Sequence, residues 1–265
     1  MLFDASAINA FLAQLNQQQA RQLELAVEAV AETGSTNLDL MQRTSQLRTA
    51  SLRVAEKQTA GRGRAGRTWL STPGGVLTFS LAWHFAKPAH SLSAVSLVVG
   101  VAVAECLRQI GVQVHLKWPN DILKEGKKLA GILVESAAAP EGGTWVVIGL
   151  GLNLQIPTEL EQEIGQAVAD SAWLAQMDRN QLLAQLAHAI GRSMQVFDEY
   201  GFEVFVDRWN QLHAYAGQFV RIMEQSEILH QGQASGIDAM GRLQLLVDGN
   251  LIAIHAGDVS LRPLA

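Results

Sequence analysis

Arginine and glycine alternate in one short segment of the chain, Gly61-Arg62-Gly63-Arg64-Ala65-Gly66-Arg67. Glycine lets the backbone approach a bound ligand closely, and the arginine side chain forms paired hydrogen bonds with carboxylate and phosphate groups. The guanidinium groups repel one another until an anion neutralises them. The segment therefore predicts a loop that is mobile when empty and becomes ordered around a small anionic ligand. Taken alone, its composition also fits a solvated basic turn.

This Arg/Gly segment also matches two nucleotide-binding motifs in part. Residues 61–66 fit the pattern Gly-x-Gly-x-x-Gly, and residues 61–68 nearly fit the P-loop, with Arg67 in the position of the lysine. Both motifs require a helix that begins in or directly after the loop, because the N-terminus of that helix holds the phosphates. Pro73 and the two glycines that follow it exclude a long helix here. The sequence therefore argues against both of these folds.

Four further segments carry polar side chains suited to binding a small polar ligand. Serine, threonine and asparagine are common in turns, and a Pro-Asn-Asp sequence often forms a plain turn. From the residues alone, a structural role and a binding role therefore both stay open for these segments. They are Ser35-Thr36-Asn37, Lys117-Trp118-Pro119-Asn120-Asp121, Lys128-Leu129-Ala130-Gly131-Ile132-Leu133-Val134-Glu135 and Gly149-Leu150-Gly151-Leu152-Asn153.

The hydrophobic pattern predicts the elements that must position these segments. Apolar alternation predicts strands, and apolar residues at spacings of three and four predict helices. The strands and helices do not alternate strictly, which favours an α+β fold over a doubly wound sheet. Strands are predicted at 25–31, 52–58, 76–84, 112–117, 128–136 and 144–150, and helices at 4–22, 38–48, 91–110, 178–200 and 202–214.

The character of the chain changes after Gly217. Short strand-like runs follow one another there, separated by turn signals at Gly241 and at Asp248-Gly249. Such spacing predicts a small β-barrel, and we set a domain boundary near Tyr215. The runs are 219–223, 228–231, 233–237, 243–247, 251–255 and 259–262.

Composition narrows the class of protein. The chain has 265 residues, of which 48% are hydrophobic, and this share argues against disorder. Its net charge of −5 argues against a dedicated DNA-binding protein. Cys106 is the single cysteine, so no intramolecular disulfide forms and a reducing compartment fits. The N-terminus lacks the pattern of a secretory signal. The most apolar run, 97–104, is shorter than the roughly 20 residues that span a bilayer. These features predict a cytoplasmic protein.

The Arg/Gly segment, extended to residues 58–69, and the four other segments closely resemble the biotin protein ligases in type, order and register. The resemblance covers residues 25 to 265. It implies a mixed or antiparallel sheet with helices, similar to the catalytic domain of class II aminoacyl-tRNA synthetases, followed by an SH3-like barrel. We therefore expect an N-terminal helix or extension at 1–24, a biotin- and ATP-binding domain at 25–215 and the SH3-like domain at 216–265.

Some members of this family are also repressors with an N-terminal winged helix-turn-helix domain. Only about 24 residues precede the first predicted strand here, so the chain resembles the monofunctional type. The resemblance implies no binding of nucleic acid and no membrane association, and it allows a homodimer. It implies biotin as substrate and ATP with Mg²⁺ as cofactors. The expected partner is the biotin carboxyl carrier domain of an acyl-CoA carboxylase.

The implied reaction has two steps. The biotin carboxylate first attacks the α-phosphate of ATP and gives biotinyl-5′-AMP, and a carrier lysine then attacks this mixed anhydride. By resemblance, the serine–threonine–asparagine turn and Gln58 contact the ring end of biotin, while the Arg/Gly segment closes over it. The residues expected to bind biotin are Ser35, Thr36, Asn37, Gln58, Arg62, Gly63, Arg64 and Lys128.

The same resemblance assigns the remaining site residues. Lys128 stabilises the transition state, with Arg64, Lys117 and Asp121 as further catalytic residues. Asp121 either holds Mg²⁺ or orients the incoming amine. The nucleotide is contacted by several side chains, among which Trp173 lies in a segment, 157–175, that departs from the family length. These residues are Arg64, Arg67, Trp69, Asn120, Asn153, Trp173 and Arg262.

Two alternatives stay open. A lipoate ligase or lipoyl transferase has a related fold and activates its acid in the same way, although the Arg/Gly segment favours biotin. The second alternative is a regulatory module that holds biotinyl-AMP without turnover. The presence of Lys128 and Asp121 argues against this alternative.

Overall fold

The computed structural model describes residues 2–17, 22–157, 161, 168–224, 227–257 and 259–264 of the chain. Two β-sheets organise these residues, one of seven strands and one of five. The large sheet has the strand order β1-β2-β3-β7-β6-β5-β4, in which β1 and β2 are parallel and the other neighbours are antiparallel. Its strands are β1 (Ala26–Thr33), β2 (Ser51–Gln58), β3 (Val76–Phe85), β4 (His115–Lys117), β5 (Asp121–Lys124), β6 (Lys127–Ala138) and β7 (Thr144–Asn153). The predicted α+β class with a mixed sheet is confirmed.

The two faces of the large sheet carry different side chains. Side chains alternate between the faces of a strand, and Val146 and Ile148 of β7 lie in the main hydrophobic core. Trp145 and Val147 point to the opposite face and pack with Leu40 in a smaller cluster. The polar segments of the sequence belong to this second face, so the strands bury one side in the core and present the other to a cleft.

Helices cover both faces. They are α1 (Ala5–Asn16), α2 (Thr36–Met41), α3 (Val95–Gln109), α4 (Ala172–Gln176), α5 (Arg179–Tyr200) and α6 (Glu203–Leu212). Helix α3 and the 3-10 turn before it, Ala89–Gln109, are long and apolar enough to span a membrane, with a mean hydropathy of 1.7. Within an 18-residue apolar part of this stretch, 72% is buried inside the protein, where α3 packs on α5 and β6. The core therefore accounts for its apolar character.

Two helix predictions differ from the structure. The helix predicted at 38–48 is α2. It begins earlier than predicted because Ser35 caps it, and it ends earlier because a series of turns follows Met41. The helix predicted at 4–22 is α1, which ends at Asn16; residues 18–21 lie outside the described part of the chain. Ile8 and Leu12 of α1 are buried, and α1 packs on α5. The N-terminal segment is thus part of the core.

The small sheet has the order β11-β10-β9-β8-β12 and is antiparallel. Its strands are β8 (Phe219–Glu224), β9 (Glu227–Ile237), β10 (Leu243–Val247), β11 (Asn250–Ile254) and β12 (Val259–Pro263). The separation of 228–231 from 233–237 was wrong, since both belong to β9. A Cβ at Gly232 would lie 2.4 Å from the Leu246 carbonyl oxygen, so this glycine permits close strand packing where β9 pairs with both β8 and β10.

The two sheets share one continuous core. Buried residues of the small sheet, such as Val220 and Leu245, belong to the same hydrophobic cluster as the large sheet and α3. The Ala214 amide donates to the Leu116 carbonyl at 2.8 Å, and Trp118 Nε1 donates to the Gly241 carbonyl at 3.1 Å. The boundary near Tyr215 stays a prediction, since the sheets change there while the core does not divide.

His213, at the end of α6, makes the stability of this junction depend on pH. Burial lowers its pKa from 6.5 to about 4, and its ring lies on Trp209 with 4.8 Å between the centroids. The folded protein therefore binds fewer protons than the unfolded chain between these two pH values, and stability falls as the pH falls through this window.

We expect the free energy of unfolding to drop about 2 kcal/mol more in the wild type than in His213→Phe between pH 7 and pH 4.5. Urea titrations at both pH values measure this difference. The phenylalanine keeps an aromatic ring on Trp209 but has no proton to gain. An equal pH dependence in the two proteins would contradict the assignment to His213.

Candidate active site

A cleft of about 860 Å³ lies between the large sheet, the Arg/Gly segment and β12. It brings together almost every residue that the sequence predicted for the site. Trp173 is the exception. The predicted residues that line the cleft are Ser35, Thr36, Asn37, Gln58, Arg62, Gly63, Arg64, Arg67, Trp69, Lys117, Asn120, Asp121, Lys128, Asn153 and Arg262.

The serine–threonine–asparagine turn forms the start of α2 at one end of the cleft. Ser35 caps the helix. Thr36 donates its backbone amide and its hydroxyl to Gln58 Oε1 at 2.8 and 3.0 Å, and its hydroxyl also lies 2.8 Å from Ser80 Oγ. These bonds orient the Gln58 side chain. Ser80 is a member of the site that the sequence analysis missed, although alternation along β3 places it on the face of the cleft.

A network of ion pairs fixes α2 to the sheet beneath this turn. Arg53 pairs with Glu28 at 2.6 Å and with Asp39 at 2.7 Å, while Arg43 pairs with Glu28 through two bonds of 3.0 Å. The hydrogen bond from Arg43 is the main cause that lowers the pKa of Glu28. Because these groups are linked through shared partners and partly buried, they position the helix better than an isolated surface pair does.

The Arg/Gly segment bridges the cleft. Arg64 donates from Nη1 to Asn120 Oδ1 at 3.0 Å, and from Nη2 to the carbonyl of Gly257 in the C-terminal part of the chain. Ala65 adopts a φ of 52° and is followed by Gly66 at 70°. A left-handed alanine is an uncommon conformation, and such backbone outliers cluster at functional sites.

The glycines of β6 and β7 hold the far end of this segment. A Cβ at Gly151 would lie 2.1 Å from Trp69, and one at Gly131 would lie 3.0 Å from it. The Trp69 ring also receives Lys128 Nζ at 5.4 Å from its centroid. Gly149 makes room for Asn37 in the same way, with 2.8 Å from a notional Cβ to Oδ1. The Gly-x-Gly pattern of β7 thus accommodates side chains of the site.

Cationic groups converge at the other end of the cleft. Lys128 Nζ lies 2.7 Å from Asp121 Oδ1, and Lys117 Nζ lies 3.4 Å from Asp121 Oδ2. Burial raises the pKa of Asp121, but the attraction of the two lysines outweighs it and the net shift is downward. Burial lowers the pKa of Lys117, a shift that Arg262 reinforces and Asp121 opposes. Two lysines share one carboxylate and Arg262 adds a third positive charge nearby, which makes this end attractive to phosphate.

Two roles were predicted for Asp121, to hold Mg²⁺ or to orient the incoming amine, and both stay predictions. Each of its carboxylate oxygens already faces a lysine, and no group of three or more His, Cys, Asp or Glu suited to a metal occurs among the described residues. In this structure Asp121 is paired with both lysines. Mg²⁺ usually binds nucleotides through their phosphates with few protein ligands, so a magnesium site does not require such a group.

Two residues predicted to contact the nucleotide, Trp173 and Asn153, are placed differently with respect to the cleft. Trp173 does not line the cleft: it is 55% exposed, and its Nε1 donates to the Ile110 carbonyl at 3.0 Å. The neighbouring stretches 158–160 and 162–167 lie outside the described residues. Asn153 lines the cleft, but its Nδ2 donates to the carbonyls of Lys128 and Ala169 at 3.3 and 3.1 Å. Its side chain therefore fixes the backbone that carries Lys128.

Gly151 provides a test of how the Arg/Gly segment is held. Gly151→Ala puts a methyl group where the Trp69 ring lies, so we expect the ring to be displaced and the segment to become mobile. Trypsin should then cleave at Arg62, Arg64 or Arg67 several-fold faster than in the wild type. Gly34→Ala is the control, because a Cβ there meets nothing within 4 Å. Equal cleavage rates in all three proteins would show that Trp69 does not anchor the segment.

Comparisons with known proteins identify related families and sequences. The model of the Biotin/lipoate A/B protein ligase family matches residues 27–153, and that of the Biotin protein ligase C terminal domain matches residues 216–262. The bifunctional ligase/repressor BirA of Escherichia coli (strain K12) is 34% identical over 236 residues, which are 86% of this chain and 71% of BirA. The biotin–[acetyl-CoA-carboxylase] ligase of Mycobacterium tuberculosis is 32% identical over 241 residues, 88% of each protein.

A solved structure is similar as well. The biotin protein ligase from Aquifex aeolicus in complex with biotin and ATP superposes with a TM-score of 0.74 at 27% identity, covering 90% of this chain and 99% of that chain. The similarity thus extends over most of both chains. Since two family models match in order and close relatives align along most of their length, the chain belongs to the biotin protein ligase family.

Proposed function

We propose that this protein joins biotin to ATP as biotinyl-5′-AMP and transfers the biotinyl group to a lysine of a biotin carboxyl carrier protein. The main support is that one cleft has two chemically different ends. Hydroxyl and amide groups of Thr36, Asn37 and Gln58 suit the ureido edge of biotin. The cationic end, with Lys117, Lys128 and Arg262, suits a carboxylate beside a polyphosphate.

In the first step a biotin carboxylate oxygen attacks the α-phosphorus of ATP, and pyrophosphate leaves with the electron pair of the broken bond. Two anions must come together, so their repulsion has to be neutralised. We assign this task to Lys128, with Lys117 and Arg64 beside it and Arg67 and Arg262 toward the outer phosphates. Further positive charge would be supplied by Mg²⁺ bound to the ATP phosphates.

In the second step a carrier lysine amine attacks the carbonyl carbon of biotinyl-5′-AMP, AMP leaves with the electron pair of the broken C–O bond, and the nitrogen loses a proton to solvent. We assign Asp121 the task of orienting this amine through charge. Its pKa is lowered by the two lysines, so it is a weak proton acceptor and an effective electrostatic partner. A general-base role would instead need a pKa near the working pH.

The carrier is proposed to belong to an acyl-CoA carboxylase. The support is the name of two relatives, the biotin–[acetyl-CoA-carboxylase] ligases of Mycobacterium tuberculosis and Paracoccus denitrificans, which are 32% and 30% identical to this chain. The division into domains at 25–215 and 216–265, and a homodimer, stay predictions. Size-exclusion chromatography with and without biotin and ATP tests the latter.

Both half-reactions can be followed in one tube. We expect pyrophosphate release from Mg²⁺-ATP with biotin, followed by a single biotin adduct on an added biotin-carrier domain in mass spectrometry. Release with lipoate alone would assign the protein to the lipoate branch of the family. Tight biotin binding without pyrophosphate release would favour the regulatory alternative and contradict the catalytic assignments.

Lys128→Ala tests the assigned catalytic cation. The variant lacks the ammonium group that is assigned to the reacting biotin carboxylate, so the rate of pyrophosphate release should fall by about 100-fold or more. The matched control is Lys127→Ala, because Lys127 is its exposed neighbour on β6 and does not line the cleft. Thermal melting verifies that both variants are folded. A wild-type rate in folded Lys128→Ala would refute the mechanism.

Arg64→Gly tests how the adenylate is retained. This change removes the bonds to Asn120 and to the Gly257 carbonyl that close the cleft. We expect biotinyl-5′-AMP to escape and to label lysines of an unrelated protein in the same solution. The measurement is streptavidin detection of label on serum albumin. Selectivity equal to that of the wild type would disprove this role.

A further inference from the structure

Glu135 is a half-buried carboxylate near the end of β6, on the face of the sheet that forms the cleft. The sequence analysis gave it no role. We propose that Glu135 is a positioning residue, which fixes the side-chain amide of Asn37 so that its oxygen accepts a ureido N–H of biotin. This inference rests on the proposed function, because it concerns the same biotin site.

The first observation is the bond between the two side chains. Asn37 Nδ2 donates to Glu135 Oε2 at 2.6 Å. An ionised carboxylate can only accept hydrogen bonds, whereas an amide has one donating and one accepting end. The NH₂ group of Asn37 must therefore face Glu135. The carboxylate thus decides which end of the amide points away from it.

The second observation is that the other end of this amide has no partner. Asn37 is 3% exposed, and its Oδ1 is a buried atom without a hydrogen bond among the described residues. Nearly all buried polar groups in folded proteins are hydrogen-bonded. The oxygen lies over Gly149, where a Cβ would be only 2.8 Å away, and both residues line the cleft. A buried acceptor in a ligand cleft indicates a donor on the ligand.

The third observation is that Asn37 cannot easily reorient as a whole. Thr36, directly before it, is held by Gln58 and by Ser80, and α2 is fixed to the sheet by the pairs of Arg53. Rotation of the side-chain amide is therefore the freedom that remains. When the amide oxygen of Asn37 faces biotin, it accepts a hydrogen bond from a ureido N–H. When the amide is turned round, its NH₂ group faces that N–H, and two donors oppose each other.

Glu135→Gln tests this role because glutamine can present either a donor or an acceptor to Asn37 and no longer dictates its orientation. In calorimetric titrations with biotin alone, we expect the Kd to rise about 10-fold. With saturating biotin, the turnover number and the KM for ATP should stay at wild-type values. The control is Glu141→Gln, an exposed carboxylate in the turn after β6 that does not line the cleft.

A double variant separates positioning from a general structural effect. If Glu135 acts through Asn37, then Glu135→Gln combined with Asn37→Ala should bind biotin as weakly as Asn37→Ala alone. Additive losses, or an unchanged Kd in Glu135→Gln, would overturn the inference while leaving the proposed function intact. Absence of biotin binding by the wild type would overturn the proposed function itself, and this inference with it.

Discussion

The active site is built around an imbalance of charge. Asp121 is the single carboxylate to which Lys117 and Lys128 are bound, and Arg262 adds a third positive charge to the same region. Without Asp121, two half-buried ammonium groups would face each other across a short distance, which is unfavourable in a partly desolvated cleft. With it, the net charge stays positive and attracts an anion. One carboxylate thus keeps the cations together and leaves them able to bind phosphate.

Close packing against glycine is the second constraint. The bulky Trp69 ring lies directly on Gly151 and Gly131, and Asn37 lies on Gly149. Any side chain at these positions of β6 and β7 would occupy the volume of a site residue. At these three positions β6 and β7 therefore carry no side chain on the cleft face, while the opposite face has the large apolar residues that form the main core. This division explains how a strongly buried sheet can also carry a ligand site.

Much of the site could be predicted because its residues sit in short segments with fixed local geometry. A cap residue such as Ser35, or the turn at Pro119-Asn120, has the same shape in many proteins, so residue types in order carry the information. The contacts that the sequence did not reveal have a different origin. Trp173 lies beside stretches of unusual length, so its register could not be judged. The role of Asp121 depends on which lysines fold against it, which no local pattern records. Ser80 and Glu135 act through partners more than 40 residues away.

The C-terminal sheet is connected to the chemistry as well as to the core. Trp118 donates to the Gly241 carbonyl, and the same segment of chain continues into Asn120 and Asp121. Arg64 links Asn120 to the Gly257 carbonyl, and Arg262 on β12 completes the cationic end of the cleft. A shift of the small sheet would therefore move the closing loop, the counter-ion and one cation together. Because the two sheets also share a continuous core, such a shift would cost buried apolar contacts. The small sheet is thus bound rigidly to the site that it helps to form.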